Sequence, residues 1–222
     1  MNPFAASSAS LRLPDAILGG YTRPFPGQMR CGDRIWWHTH DDGDLHADGV
    51  TLALVDGLGH GPSAYAAAGG IVATLEHHLR RATVEATPEP MDLPSLIRAL
   101  HQSTDPQAGG SITLAHYRRG LLQLVAIGNT VARIVGPGIS RVLLSPDGNL
   151  GTVLPTPRPH RLMLEPGQGL LCYSDGVKSH FDFEALTGRH TARPSTVARQ
   201  IVTQHGKHHD DASALLLRRL RN

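Results

Sequence analysis

The sequence predicts an α+β fold in which most strands pair in an antiparallel way. Short apolar runs recur along the chain, turns rich in glycine and proline separate them, and the helical patterns do not alternate with the strands one by one. The 222 residues suffice for one domain with a sizeable core. We expect residues 1–14 to be a flexible N-terminal tail and residues 15–222 to form a single domain.

A β-hairpin and two helices are predicted in the first half of the chain. Residues 34–40 and 50–55 have strand character, and the acidic segment 41–44 with its glycine is typical of the turn between them. Residues 92–102 have the pattern of a second helix. The first helix is indicated by apolar residues that recur every three or four positions: Ala64, Ala68, Ile71, Leu75 and Leu79. Both helices should flank a sheet.

The second half of the chain predicts three hairpins, a last helix and a closing strand. The last helix covers residues 194–205, with proline in its first turn and Gly206 after its end. Residues 215–217 then add a strand that closes the sheet. Each hairpin joins two apolar runs through a short turn that contains glycine: 111–117 with 121–127, 131–135 with 141–144, and 162–164 with 170–174.

Composition and charge exclude several classes of protein. Lys and Arg number 21 against 19 Asp and Glu, and this net charge of +2 does not favour nucleic acid or an anionic membrane. No secretory signal is predicted, and the longest apolar stretch, 64–75, is shorter than the roughly 20 residues that a membrane helix requires. The two cysteines, Cys31 and Cys172, are too few for a disulfide framework or a cysteine-based zinc site. We therefore expect a cytoplasmic protein.

Aspartates occur at the ends of three apolar strands. Asp56 and Asp175 each follow a strand and precede a glycine, and the pair Asp210 and Asp211 comes just before the last strand. Strand ends present functional loops on a rigid scaffold, and carboxylates without cysteine ligands suit Mg²⁺ or Mn²⁺ more than zinc. A single Asp-Gly pair is also a common turn. Their joint occurrence is what indicates a metal site.

Six short blocks follow one another along the chain in a recognisable order. The segment 56–61, DGLGHG, resembles the DGxGHG signature of the SpoIIE-type serine phosphatases, a branch of the PP2C family. In length and in the absence of a sensor domain, the chain most resembles the RsbX-like stand-alone phosphatases. The resemblance extends from about residue 17 to the end of the chain. The other blocks are Cys31-Gly32-Asp33, Gly109-Gly110-Ser111-Ile112-Thr113, Ile127-Gly128-Asn129, Tyr173-Ser174-Asp175-Gly176-Val177 and Asp210-Asp211-Ala212-Ser213.

This resemblance implies a PP2C-like sandwich of two antiparallel β-sheets flanked by α-helices, with two divalent ions, Mn²⁺ or Mg²⁺, at one end. It implies that Asp56 bridges the ions, that the Gly57 carbonyl holds one, and that Asp175 and Asp210 hold the other. Asp33 would contact the site directly or through water. These four aspartates would be catalytic through the metals, which generate hydroxide and neutralise phosphate charge. His60 and Asp211 are expected just behind the ligands.

The implied activity is hydrolysis of phosphoserine or phosphothreonine on a bacterial signalling protein. The resemblance further implies that this substrate is a STAS-domain protein of a partner-switching or stressosome pathway. Animal members of the family hold the substrate phosphate with an arginine near the N-terminus. None of the arginines in the corresponding region can be matched to that role, so the substrate-binding residues stay unassigned: Arg12, Arg23, Arg30 and Arg34.

Three alternatives remain open at this point. A catalytically silent phosphatase-like scaffold would have no need to keep clustered carboxylates, which are costly. The segment His38-Thr39-His40 resembles the start of a metallo-β-lactamase zinc motif, but Gly43 stands where the closing histidine should be. Cys172 precedes Lys178 by six residues in an imperfect likeness of the cysteine-phosphatase loop, which needs a bidentate arginine. We expect Cys172 to be a buried strand residue instead.

Overall fold

In the computed structural model, the described residues, 7–40, 49–82, 91–187 and 192–221, form two antiparallel β-sheets with helices on their outer faces. The helices are α1 (Gly61–Ala82), α2 (Leu93–Ser103), α3 (Phe183–Thr187) and α4 (Pro194–His205). The strands are β1 (Ser7–Arg12), β2 (Ala16–Arg23), β3 (Asp33–His40), β4 (Gly49–Gly57), β5 (Gly110–Arg118), β6 (Leu121–Ile127), β7 (Val131–Gly136), β8 (Ile139–Leu143), β9 (His160–Met163), β10 (Gly169–Tyr173) and β11 (Ala212–Arg219).

The order of strands is β1-β2-β11-β10-β7-β8 in one sheet and β3-β4-β5-β6-β9 in the other. Side chains alternate between the faces of a strand, and β4 shows what this does to the packing. Leu52 and Leu54 face the other sheet, whereas Ala53 and Val55 face the core beneath α1 and α2. Both faces of β4 are therefore buried, which explains its continuous apolar sequence. A third core lies between α4 and the outer face of the other sheet.

The predicted sandwich of two antiparallel sheets flanked by helices is confirmed, but one of the predicted hairpins is wrong. Residues 162–164 and 170–174 do not pair: β9 lies beside β6 at the edge of one sheet, and β10 lies between β11 and β7 in the other. The turn after β9 carries the chain across the sandwich, and Leu164 is buried between the sheets. The turn expected at 41–44 lies outside the described residues.

The N-terminal tail predicted over residues 1–14 is wrong for Ser7–Arg12, which form β1. This strand pairs along its whole length with β2. The sequence analysis predicted neither β2 nor this pairing. Gly19 and Gly20 weaken the strand pattern of β2, yet packing requires both. A Cβ at Gly19 would overlap the backbone nitrogen of Ser195 in α4, and one at Gly20 would press on the Ile35 side chain. The short helix α3 was also not predicted.

None of the helices in the described ranges is long and apolar enough to cross a membrane.

The start of α2 provides a test of local stability. Asp92 is the N-cap, and its side chain accepts a hydrogen bond from the backbone nitrogen of Ser95 at 3.1 Å. Asp92→Ala removes this acceptor, so we expect the free energy of unfolding to fall by about 1 kcal/mol. Urea denaturation measures the change. Asp92→Asn keeps the acceptor and should lose less than half as much, and equal losses in the two variants would contradict the capping role.

Candidate metal centre

Two predicted site residues are brought together by strand register. Asp33 at the start of β3 lies opposite Asp56 near the end of β4, and Asp56 lies opposite Ser111 of β5. Side chains of directly opposed residues in an antiparallel pair lie close together on the same face. Asp33 is only 2% exposed, and Asp56 is partly buried. Two carboxylates therefore meet at one end of this sheet.

The other sheet contributes acidic residues from two neighbouring strands. Asp175 follows β10, and Asp210 and Asp211 precede β11, its antiparallel partner, so all three lie at the same end of the sheet. A buried hydroxyl joins the two sheets here. The Ser174 hydroxyl donates to the Asp33 carboxylate at 2.7 Å and accepts from the Ser213 backbone nitrogen at 3.0 Å. The fold thus places residues from both sheets around one point.

The glycines beside the aspartates are required by close packing as well as by turns. A Cβ at Gly57 would overlap the Ala64 carbonyl of α1, and a Cβ at Gly176 would overlap the Asp211 carbonyl. Gly59 in the loop before α1 and Gly61 at the first residue of α1 have φ angles of 89° and 70°, which side chains disfavour. The glycine-rich signature therefore lets the backbone approach the site closely.

An open cavity of about 420 Å³ lies at this end of the sandwich, and we call it the acidic cavity. Among its lining residues are three predicted site residues, Asp56, Asp175 and Asp210, together with Gly57. Asp33 is not among them, because it is buried behind the cavity and hydrogen bonded to Ser174.

The two residues expected behind the ligands differ in their surroundings. Asp211 is 4% exposed, and its Oδ1 accepts from the Phe25 backbone nitrogen at 2.7 Å. Its Oδ2 is buried without a hydrogen-bond partner in the described part of the chain. The exposed His60 stacks on Phe25, with ring centroids 6.0 Å apart, and does not line the acidic cavity. His60 therefore lies outside the lining of the acidic cavity.

Four polar residues to which the sequence analysis gave no role also line the acidic cavity: Ser111, Asn129, Asp147 and Asn149. Asn129 donates through Nδ2 to the Asp175 carboxylate at 2.6 Å, and so orients it. Asp147 lies in the loop after β8 and lines the same cavity as the predicted aspartates. It precedes Gly148, so the Asp-Gly signal that pointed to Asp56 and Asp175 could also have found it.

Burial and mutual repulsion make ionisation of this cluster unfavourable. Burial, reinforced by the charges of Asp33, Asp175 and Asp210, raises the pKa of Asp56 to about 9. Burial also raises the pKa of Asp33 to about 7, although the hydrogen bond from Ser174 partly offsets it. The pKa of Asp210 is raised by burial and by Asp175. A bound cation would relieve this repulsion.

The donor chemistry of the acidic cavity fits hard divalent cations. In the described ranges, no three His, Cys, Asp or Glu side chains form a ready-made metal-binding group. The fit rests on other features: the cavity offers carboxylate and amide oxygens, the pKa values of Asp56 and Asp210 are raised, and the Asp211 Oδ2 is buried without a hydrogen-bond partner among the described residues. Such oxygen donors are those that Mg²⁺ and Mn²⁺ prefer.

The competing motifs lie away from this cavity. His38 and His40 are at the opposite end of β3 from Asp33, and the His40 Nε2 lies 2.8 Å from the Thr51 hydroxyl. Cys172 is fully buried between the sheets, as predicted, and burial raises the pKa of its thiol. A buried thiol with a raised pKa is a poor nucleophile. Neither motif therefore contributes a described residue to the acidic cavity.

The stacked sheets, the outer helices and an acidic cavity at one end define a PP2C-type phosphatase domain. The family model described as "Stage II sporulation protein E (SpoIIE)" matches residues 46–220. The chain belongs to the SpoIIE family. None of the curated proteins matches it significantly.

Solved structures share this fold at low sequence identity. One solved structure comes from work on the bacterial stressosome, described as a modular system that has been adapted to control secondary messenger signalling. It is 24% identical to this chain, with a TM-score of 0.77, and the match covers 91% of this chain and 99% of that one. RsbX in complex with magnesium is 17% identical, with a TM-score of 0.76 over 95% and 98%. The catalytic domain of the phosphatase PstP with two manganese ions is 15% identical, with a TM-score of 0.70 over 93% and 99%.

Proposed function

We propose that this protein is a Mn²⁺- or Mg²⁺-dependent protein serine/threonine phosphatase. The observation that carries the proposal is the acidic cavity, where Asp56, Asp175 and Asp210 face a space large enough for a phosphorylated side chain. Family membership supports the same reaction class. The metal ions in the RsbX and PstP structures support the choice of cofactor.

The ligands of the two ions would be Asp56, the Gly57 carbonyl, Asp175 and Asp210. When bound, the ions would supply charge neutralisation for the phosphate and lower the pKa of water. Asn129 keeps the Asp175 carboxylate oriented through its 2.6 Å hydrogen bond. The hydrogen bond from Ser174 holds the Asp33 carboxylate in place. Asp33, which lies opposite Asp56 in the strand register, then supports the Asp56 side chain.

The substrate we propose is a phosphorylated STAS-domain protein of a bacterial partner-switching or stressosome pathway. The structural likeness to RsbX and to a protein from stressosome work supports this choice. The reducing cytoplasm is the proposed location, because Cys31 and Cys172 are both buried as free thiols.

Hydrolysis of an aryl phosphate tests the reaction class. The purified protein is assayed with Mn²⁺, Mg²⁺, Zn²⁺ or a chelator, and we expect turnover with Mn²⁺ or Mg²⁺ that the chelator abolishes. Activity with Zn²⁺ alone would contradict the proposal. Inactivity with every metal, on this substrate and on phosphoproteins, would favour the silent scaffold instead.

Selectivity for a folded substrate is a further expected result. The acidic cavity is open, and its lining contains no aromatic side chain to hold a peptide. Binding energy should therefore come from surfaces remote from the reacting phosphate. We expect kcat/KM for an intact phosphorylated STAS protein to exceed that for its phosphopeptide by at least about tenfold. Equal values would show that docking contributes nothing.

A further inference from the structure

A second cavity, which we call the lysine cavity, adjoins the acidic cavity. Its volume is about 460 Å³, and its lining includes Lys178, Ser179, His180 and Lys207. The two cavities share Asn129 and Asp175, the pair joined by a 2.6 Å hydrogen bond. The proposed reaction centre and the lysines therefore lie in neighbouring cavities that have this pair in common.

Backbone hydrogen bonds fix the positions of both lysines. The Lys178 nitrogen donates to the His205 carbonyl at 2.9 Å, and the Lys207 nitrogen donates to the Gly176 carbonyl at 2.7 Å. Between them, Val177 and Gly206 form an isolated antiparallel bridge. The segments that carry Asp175 and Asp210 therefore also hold the two lysines beside them, so the lysine cavity is built on the same rigid frame as the acidic cavity.

Lys178 and Lys207 carry positive charges at the lysine cavity, and the carboxylate of Asp175 also lines it. Neither lysine side chain forms an ion pair or a hydrogen bond with the other residues that the structure describes. Burial raises the pKa of Asp210, and the positive charge of Lys207 offsets part of that rise. Lys207 is therefore close to the acidic cavity. Two lysines at one concave site attract anions more strongly than the same charges dispersed on a flat surface.

We propose that the lysine cavity binds a second anionic group of the phosphoprotein, a carboxylate or another phosphate close to the reacting phosphoserine. This inference rests on the proposed function and specifies its substrate. The reacting phosphate belongs beside the carboxylate-held ions, so a neighbouring residue of the substrate would project past Asn129 towards Lys178 and Lys207. The lysines then determine which phosphorylated sites are accepted.

Equilibrium binding of matched peptides tests the proposal without requiring turnover. Each fluorescent peptide carries a phosphonate analogue of phosphoserine, flanked by glutamate, by glutamine or by a second such analogue, and fluorescence anisotropy gives Kd for the manganese-loaded protein. We expect the peptides with an anionic flank to bind about tenfold more tightly than the glutamine peptide. Comparison of the two anionic flanks identifies which source of negative charge is preferred.

Substitution of the lysines locates the effect. The ratio to follow is the Kd of the glutamine peptide divided by the Kd of a peptide with an anionic flank. In Lys178→Gln/Lys207→Gln this ratio should fall to near one, and in Lys178→Arg/Lys207→Arg it should be retained. The control, Arg98→Gln/Arg199→Gln, removes two exposed positive charges that do not line the lysine cavity and should keep the wild-type ratio. Added salt should weaken the preference.

The outcomes separate this inference from the proposed function, which the aryl phosphate assay tests independently. A wild-type ratio near one, or a ratio that survives the glutamine double substitution, would overturn the lysine cavity even if the protein is an active phosphatase. An equal loss of affinity for all peptides in the glutamine variant would also overturn it, since the lysines would then hold the reacting phosphate. If the protein shows no turnover but keeps a preference that depends on the lysines, anion binding by the lysine cavity would be supported and the proposed phosphatase activity refuted.

Discussion

Asp56→Asn is expected to abolish phosphatase activity, with kcat reduced by at least about 10³-fold. Asparagine keeps the size of the side chain and one acceptor oxygen, but it removes the charge that we propose bridges the two metal ions. Asp56 lies between Asp33 and Ser111 in the strand register and lines the acidic cavity, so a neutral side chain there affects the centre of the cluster. Steady-state hydrolysis of an aryl phosphate with Mn²⁺ measures the loss.

The same substitution should remove most of the stabilisation by manganese. A ligand that binds only the folded state at a hundredfold excess over Kd adds about 2.7 kcal/mol, which corresponds to a rise in Tm of about 5–10 °C for a chain of this size. We expect this shift in the wild type and little of it in Asp56→Asn. Thermal melts with Mn²⁺ and with a chelator give both values.

The metal-free forms should behave differently. The pKa of Asp56 is raised to about 9 in the folded protein, so near pH 7 folding without metal requires this carboxyl to take up a proton. Asparagine resembles the protonated form and avoids that cost. The metal-free Asp56→Asn variant should therefore be at least as stable as the metal-free wild type.

An exposed aspartate supplies the control for this substitution. Asp105 accepts a hydrogen bond from the Gln107 backbone nitrogen at 2.8 Å and does not line the acidic cavity. Asp105→Asn makes the same chemical change there and should keep wild-type turnover and the full manganese shift. If Asp56→Asn also kept either property, Asp56 would not be the bridging ligand.

Gly176→Ala is expected to lower the free energy of unfolding by about 3 kcal/mol, which corresponds to a decrease in Tm of about 6–12 °C. The added Cβ would overlap the Asp211 carbonyl oxygen, which belongs to the backbone and cannot rotate away as a side chain could. The strand ends that carry Asp175 and Asp210 would have to separate. Thermal and urea denaturation of the metal-free protein measure the change without dependence on catalysis.

A glycine in α1 gives the matched control. Apart from its own stretch of helix, a Cβ built at Gly70 meets no atom of the described residues within 4 Å, and this residue is in the middle of α1. Gly70→Ala should stabilise the protein by about 0.5–1 kcal/mol, because alanine loses less backbone entropy in a helix. Loss of stability in both variants would show that the overlap at Gly176 is not the cause.

The sequence was sufficient for elements whose patterns are local. The helix α1 follows from its apolar spacing, and the hairpin of β5 and β6 follows from two apolar runs around a glycine turn. It was insufficient where distant packing decided the conformation. Gly19 and Gly20 weaken the local signal of β2, but they are required because α4 and the facing sheet approach the strand so closely.

The candidate site shows the same division. Asp56, Asp175 and Asp210 were identified by their positions at strand ends, and the structure brings them to one cavity. The burial of Asp33 behind that cavity could not be predicted, because it depends on the hydroxyl of Ser174 from the other sheet. The lysine cavity depends likewise on an isolated bridge between residues distant in sequence, Val177 and Gly206.

The pairing of β2 with β11 determines when during folding the acidic cavity can exist. Ala16 pairs with Arg219 and Arg23 with Ala212, so the chain must close a loop of nearly its full length to form these contacts. Contacts so distant in sequence are slow to form, because the entropy of closing the loop is lost before the contacts stabilise it. Asp210 is presented only when β11 is in place beside β10. A chain cut before β11 would therefore lack the strand that positions Asp210, and we expect it to lose the rise in Tm with Mn²⁺.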